Sequence, residues 1–217
     1  RKANLIPKLT VIVVTSQGLK MHGGVALEDI TKPNMEGLQK GFENLDKHIS
    51  NIRLFGQTVL VAFNKYATDS EEEIETIRQH CNSLGVGFAV NNAFCEGGKG
   101  AEELAALVVN TIEKAPSKKI HYTYKDTETV EEKIKKVATK IYGASLITFS
   151  SVARKKIALI NELGYDKFPI CIAKTQYSFS TDAKKYGVAK NFELHVRDIV
   201  INAGAEMNVV IAGDIMR

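Results

Sequence analysis

Apolar residues along this chain follow two alternating patterns. Short, continuous runs rich in β-branched residues occupy positions 9–15, 58–63 and 86–90, and longer stretches between them place an apolar residue every third or fourth position. Runs of the first kind fit strands buried on both faces, and the second spacing fits amphipathic helices. The clearest helix covers residues 34–55, with Met35, Leu38, Phe42, Leu45, Ile49, Ile52 and Phe55 on one side. Asn34 after Pro33 is its predicted N-cap and Gly56 its stop. A charged helix is predicted after Ser70, opened by Glu71, Glu72 and Glu73, and another over residues 101–114. Residues 16–24, 64–69 and 91–100 read as the connecting loops.

The pattern changes after a short polar linker at 116–119. Strands are predicted at 120–124, 145–149, 169–174, 192–201 and 208–211, with Leu194, Val196 and Ile199 as the apolar side of the fourth. One helix is predicted over 130–141, with Val130, Ile134, Val137 and Ile141 on one face and Gly143 closing it. Ser151 is expected to cap a second that runs to Leu163 and stops at Gly164. The fold class is therefore α/β: a mostly parallel sheet flanked by helices over residues 1–115, then a smaller α/β domain over 120–217.

Composition narrows the picture. The 217 residues are 44% hydrophobic and 25% charged, which suits a globular protein with a real core. A net charge of +4 is too small to argue for nucleic acid and mildly favours an anionic ligand. Cys81, Cys95 and Cys171 are odd in number and widely spaced, so no disulfide framework or zinc site is expected, and reduced thiols point to the cytoplasm. No apolar run reaches the roughly 20 residues of a membrane span. The sequence opens at Arg1 without a Met and is soon in an apolar run, and so reads as a piece of something longer.

Candidate chemistry gathers at the loops. In an open α/β sheet, ligands bind beyond the carboxyl ends of the strands. Two successive loops there carry an aromatic side chain each, Tyr66 and Phe94. Exposed rings cost solvation unless covered, so they either pack together, pack on a neighbouring domain, or form the two sides of a slot for a flat ligand. Asn64, Lys65 and Asp69 lie beside Tyr66, although Thr68, Asp69 and Ser70 also suit plain helix capping. Gly97, Gly98, Lys99 and Gly100 lead into a helix and either offer backbone N–H groups to an anion or make a tight turn. Lys20, His22 and the pair Gly23–Gly24 form a further candidate ligand loop, hinge or simple turn. No Walker loop, Ser-His-Asp arrangement or metal-ligand spacing occurs.

Several motifs, in order, resemble formate–tetrahydrofolate ligase, also called formyltetrahydrofolate synthetase. They are Leu19-Lys-Met-His-Gly-Gly24, Asn44-Leu-Asp-Lys-His-Ile49, Asn64-Lys-Tyr-Ala-Thr-Asp-Ser-Glu-Glu-Glu73 and Phe94-Cys-Glu-Gly-Gly-Lys-Gly100. Lys140-Ile-Tyr-Gly-Ala144, Ala173-Lys-Thr-Gln-Tyr-Ser-Phe-Ser180, Val196-Arg-Asp198 and Gly213-Asp-Ile-Met216 continue the series. The loop at 174–180 is similar to that of the bacterial single-function enzyme, and the similarity covers the whole chain.

The resemblance implies an ATP-dependent ligation that uses Mg²⁺ and a monovalent cation. Formate takes the γ-phosphate of ATP to give formyl phosphate, and N10 of tetrahydrofolate then accepts the formyl group. It implies that the pterin stacks between Tyr66 and Phe94, positions where family members usually have Phe and Trp, and that Val90 lies beside the formyl phosphate. Asn64, Asp69, Gly97, Gly98, Lys20, Lys174 and Gln176 become possible ligand-loop residues; no catalytic residue and no metal ligand is assigned. By the same resemblance, residues 1–115 are the carboxyl-terminal part of a P-loop NTPase-like domain, and the chain is about the last two-fifths of a cytoplasmic, homotetrameric enzyme. Without the P-loop it is expected to be inactive alone. The partners implied are small molecules, with no nucleic acid and no membrane. The alternative reading is a non-catalytic folate-binding or structural module.

Overall fold

The computed structural model describes residues 5–213, so the end of the Gly213-Asp-Ile-Met216 motif lies outside the described residues. The chain divides into two compact units, Arg1–His121 and Tyr122–Arg217.

In the first unit, β1 (Thr10–Val14), β2 (Val59–Asn64) and β3 (Gly87–Asn91) form a parallel sheet in that order. Five consecutive residues of β2 are buried because the strand is central and covered on both faces. Its Val59, Val61 and Phe63 meet Leu38, Phe42, Leu45 and Ile49 of α2 (Met35–Leu54) and Ile74, Ile77 and Cys81 of α3 (Glu71–Ser83) in one core. Leu60 shows the other face, where Leu107 of α5 (Glu102–Lys114) closes over Gly87. The caps are as the sequence predicts: Asn34 accepts from Gly37 N at 2.8 Å and Ser70 from Glu73 N at 3.2 Å.

Two expected loops are helical. Residues 16–24 contain α1 (Ser16–His22), whose N-cap Thr15 accepts from Gly18 N at 3.0 Å. Residues 91–100 contain the one-turn helix α4 (Ala93–Glu96) and a 3₁₀ turn (Gly97–Ala101) that feeds α5. The turn is closed by Asn92 N donating to Gly100 O at 2.9 Å.

The second unit has a mixed four-stranded sheet, β4-β6-β7-β5, made of β4 (Leu146–Phe149), β5 (Ile170–Ala173), β6 (Glu193–Asn202) and β7 (Met207–Ala212). β4 runs parallel to β6 and β5 to β7, while β6 and β7 are antiparallel. A register shift at Val196/Asp198 explains why Ile199, three residues after Val196, shares its buried side: a bulge inserts one residue into the two-residue alternation. The helices α6 (Val130–Val137) and α7 (Ser151–Glu162) pack against the sheet.

Three details depart from expectation. Residues 120–124 are not a strand; Tyr124 instead accepts at its hydroxyl from Ile170 N at 3.0 Å. The N-cap of α7 is Ser150, accepting from Ala153 N at 3.0 Å, one residue before the expected Ser151. The helix over 130–141 passes from α to a π turn (Ala138–Tyr142), and its most buried line is Val130, Ile134 and Ala138 rather than one through Val137 and Ile141.

Candidate functional site

β2 and β3 end side by side, with Asn64 and Asn91 as their last register pair. The chain leaves β2 into the turn that carries Tyr66 and leaves β3 into α4, which carries Phe94. Both rings line one cavity of about 270 Å³, together with Asn64, Lys65 and Asn91. That volume is just below the roughly 300–1,000 Å³ of small-molecule pockets, enough for one ring system. Phe94 is 98% exposed and Tyr66 48%, so neither ring is hidden in a core and the two are not packed against each other.

The Tyr66 side is tied down. Asp69 accepts from Tyr66 N at 2.7 Å, and its other oxygen takes the hydroxyl of the buried Ser16 at the start of α1. Asp69 thus does not cap α3, a task left to Ser70; it fixes the turn. Lys65 adds no free charge, since its ammonium lies 2.6 Å from Glu71. The cavity is accordingly lined by two aromatic side chains, two uncharged carboxamides and an already paired lysine. None of these lining residues is a serine, cysteine or histidine.

The other expected residues are distributed as follows. Val90, the next-to-last residue of β3, packs on the core and its N–H donates to Glu103 at 3.4 Å; it is not among the residues lining the cavity. Gly97 ends α4 in the left-handed region, at φ 60°. Gly98 follows it in the 3₁₀ turn, where a side chain would meet nothing. Gly100 is constrained, because a Cβ there would lie 2.4 Å from Asn92 O. The glycine run makes a tight strand-to-helix turn.

Lys20 is not on a ligand loop. It lies in α1, its ammonium buried against Glu73 and donating to Lys32 O at 2.9 Å. His22, at the end of α1, lines a second cavity of about 210 Å³ with Val13, Thr15, Asn44 and His48, and burial lowers its pKa from the usual value. Lys174 and Gln176 belong to the second unit. The Lys174 ammonium donates to Thr175 O at 3.1 Å and to Ser178 O, and lies 4.7 Å from the centre of the Tyr142 ring. Burial brings its pKa down to about 8. Gln176 is exposed.

Two residues at the site escaped the sequence reading, Asn91 and Ser16. The signal for Asn91 was the matched ends of the two strands, Ala62-Phe-Asn64 and Ala89-Val-Asn91. Ser16 had no signal beyond following an apolar run. Among the described residues, no group of three or more His, Cys, Asp or Glu side chains is placed to hold a metal ion, and no helix is long and apolar enough to cross a membrane.

Comparison with known proteins agrees with the motifs. The family model described as formate–tetrahydrofolate ligase matches residues 1–217. Proteins named formate–tetrahydrofolate ligase from Bacteroides thetaiotaomicron, Phocaeicola vulgatus and Caldicellulosiruptor saccharolyticus are 63%, 64% and 46% identical over all 217 residues. The chain spans 39% of the length of each of these curated relatives. From end to end, then, this chain belongs to the formate–tetrahydrofolate ligase family.

Proposed function

We propose that this chain is the folate-side portion of a ligase that joins formate to N10 of tetrahydrofolate through formyl phosphate. The first unit is then the end of a P-loop-type domain, and Tyr66 and Phe94 hold the pterin between them. The observation that carries this reading is that two rings on adjacent βα turns line one cavity while remaining exposed. Flat π faces on both sides favour a planar heterocycle, and Tyr and Phe supply them as well as the Phe and Trp usual in relatives. ATP supplies the phosphoryl group that activates formate. The sequence holds no Walker loop, and no step of phosphoryl transfer is assigned to this chain's residues.

The residues present bind and orient. Asp69 holds the Tyr66 turn, α4 presents Phe94, and Val90, anchored on the core one residue before the end of β3, is read as the formyl-phosphate side. Titration of tetrahydrofolate into the purified chain tests this directly. Saturable binding is expected, weakened by about 1–3 kcal/mol in each of Tyr66→Ala and Phe94→Ala, by analogy with base–aromatic stacking. Absence of binding, or substitutions that alter only stability, would refute it. The chain supplied with formate, ATP and Mg²⁺ is expected to release no ADP; release would show that it makes formyl phosphate unaided.

A further inference from the structure

The carboxamides between the two rings have a fixed polarity. Asn91 Oδ1 accepts from Ala93 N at 3.3 Å, so that end of the group is the oxygen. Its Nδ2 therefore faces Asn64 and donates to Asn64 Oδ1 at 2.8 Å. Asn64 is oriented in turn: its oxygen is engaged, and among the described residues its amino group has no hydrogen-bond acceptor although the residue lines the cavity. Lys65, the one cation there, is matched by Glu71. What the two strand ends present between the rings is an uncharged N–H donor.

We propose that Asn64 is a specificity-determining residue, donating this N–H to the carbonyl oxygen on the pyrimidine edge of a bound pterin. The inference rests on the folate reading above and adds to it a preference for 4-oxo over 4-amino pteridines. A pterin carries its long substituent on the pyrazine ring, so that end must leave by the open mouth beside the exposed Phe94. The pyrimidine ring consequently enters first and meets the strand ends. In the reduced ligand N3, N5 and N8 carry hydrogen, and the 4-oxo oxygen is the strongest acceptor on that edge. A 4-amino group in its place sets donor against donor, and a site built to pair one atom rejects an analogue that cannot pair it.

Folic acid and aminopterin, which differ at this one position, provide the test by calorimetric titration of the full 217-residue chain. Folic acid is expected to bind at least about tenfold more tightly. Asn64→Asp, which offers only acceptors, is expected to erase or invert that ratio. Asn64→Ser removes the amino group without adding charge and serves should the Asp variant fail to fold. Tyr66→Ala is expected to weaken both ligands and leave their ratio unchanged. Equal affinities in the unmodified chain, or a ratio untouched by Asn64 substitution, would overturn the role of Asn64 while the stacking slot stood. Failure of both ligands to bind would overturn the slot as well.

Discussion

The ammonium of Lys20 lies 3.2 Å from each carboxylate oxygen of Glu73, and both side chains are 1% exposed. The pair joins α1 to α3, and Glu73 also accepts from Asn34 N at 2.9 Å, which holds the start of α2. Three helices thus meet at one buried ion pair. Removing one partner leaves the other charged in the core, a cost of about 3–5 kcal/mol. Glu73→Ala and Lys20→Ala are each expected to lower the unfolding free energy obtained from urea titration by an amount in that range. Replacing both with apolar residues of similar volume is expected to cost less than either single change. A double variant as unstable as the sum of the two would contradict the pairing.

Helices α1 and α2 approach backbone to backbone. A Cβ on Gly41 would lie 2.0 Å from Leu19 O, an atom that cannot swing away. Gly41→Ala is therefore expected to destabilise by about 1–3 kcal/mol despite the better helix propensity of alanine. Gly37→Ala should cost less, since its tight neighbour at 2.2 Å is the side-chain tip of Val25. Denaturant midpoints at constant slope would compare them; equal stability of Gly41→Ala and the parent would refute the close approach.

The chain has no tryptophan, so Phe94→Trp introduces a single reporter at the most exposed point of the slot. Its emission is expected to be that of a water-exposed indole and to be quenched saturably by folic acid. Tyr66→Ala in the same background should raise the concentration needed for half-quenching by roughly tenfold or more. Quenching that does not saturate, or ignores Tyr66, would place the ligand elsewhere.

Burial holds the Lys174 ammonium at a pKa of about 8, below its ordinary 10.5. Between those values the unfolded chain binds more protons than the folded one, so the Lys174 contribution to stability rises with pH through this window. Cys81 acts in the opposite sense, because burial, with the Asp46 charge adding to it, raises its thiol from 9.0 to about 11. Its contribution falls as pH climbs above about 9. The cleanest window is therefore about pH 8–9, where the parent is expected to gain stability relative to Lys174→Met. Parallel pH profiles for the two proteins would show that Lys174 titrates normally.

The strands and long helices were legible because their burial is written in their own residues. Residues 59–63 are apolar without interruption, as a central strand demands, and α2 repeats its apolar residues at helical spacing. Helix α1 was not legible for a related reason. It has seven residues and contributes Leu19 and the buried stem of Lys20 to the interior, so no period can be seen, and Lys20 reads as polar until Glu73 is found beside it. Residues 120–124 misled because an Ile-Tyr-Tyr alternation states a preference for extended chain without naming a partner strand. At the slot, Tyr66 and Phe94 could be found from loop position, whereas Asn91 acquires meaning only once its register with Asn64 is known. Asp69 lay three residues from Tyr66 in sequence, but its link to Ser16 spans 53 positions and leaves no local trace.

That link makes the slot asymmetric. The Tyr66 jaw is braced through Asp69 to the first helix, while Phe94 stands on a single helical turn with its ring in solvent. On the folate proposal, a guest would meet one jaw already in position and settle the other by its own thickness. Chemical groups that thicken the ring should accordingly be better accommodated on the face turned toward Phe94 than on the face turned toward Tyr66.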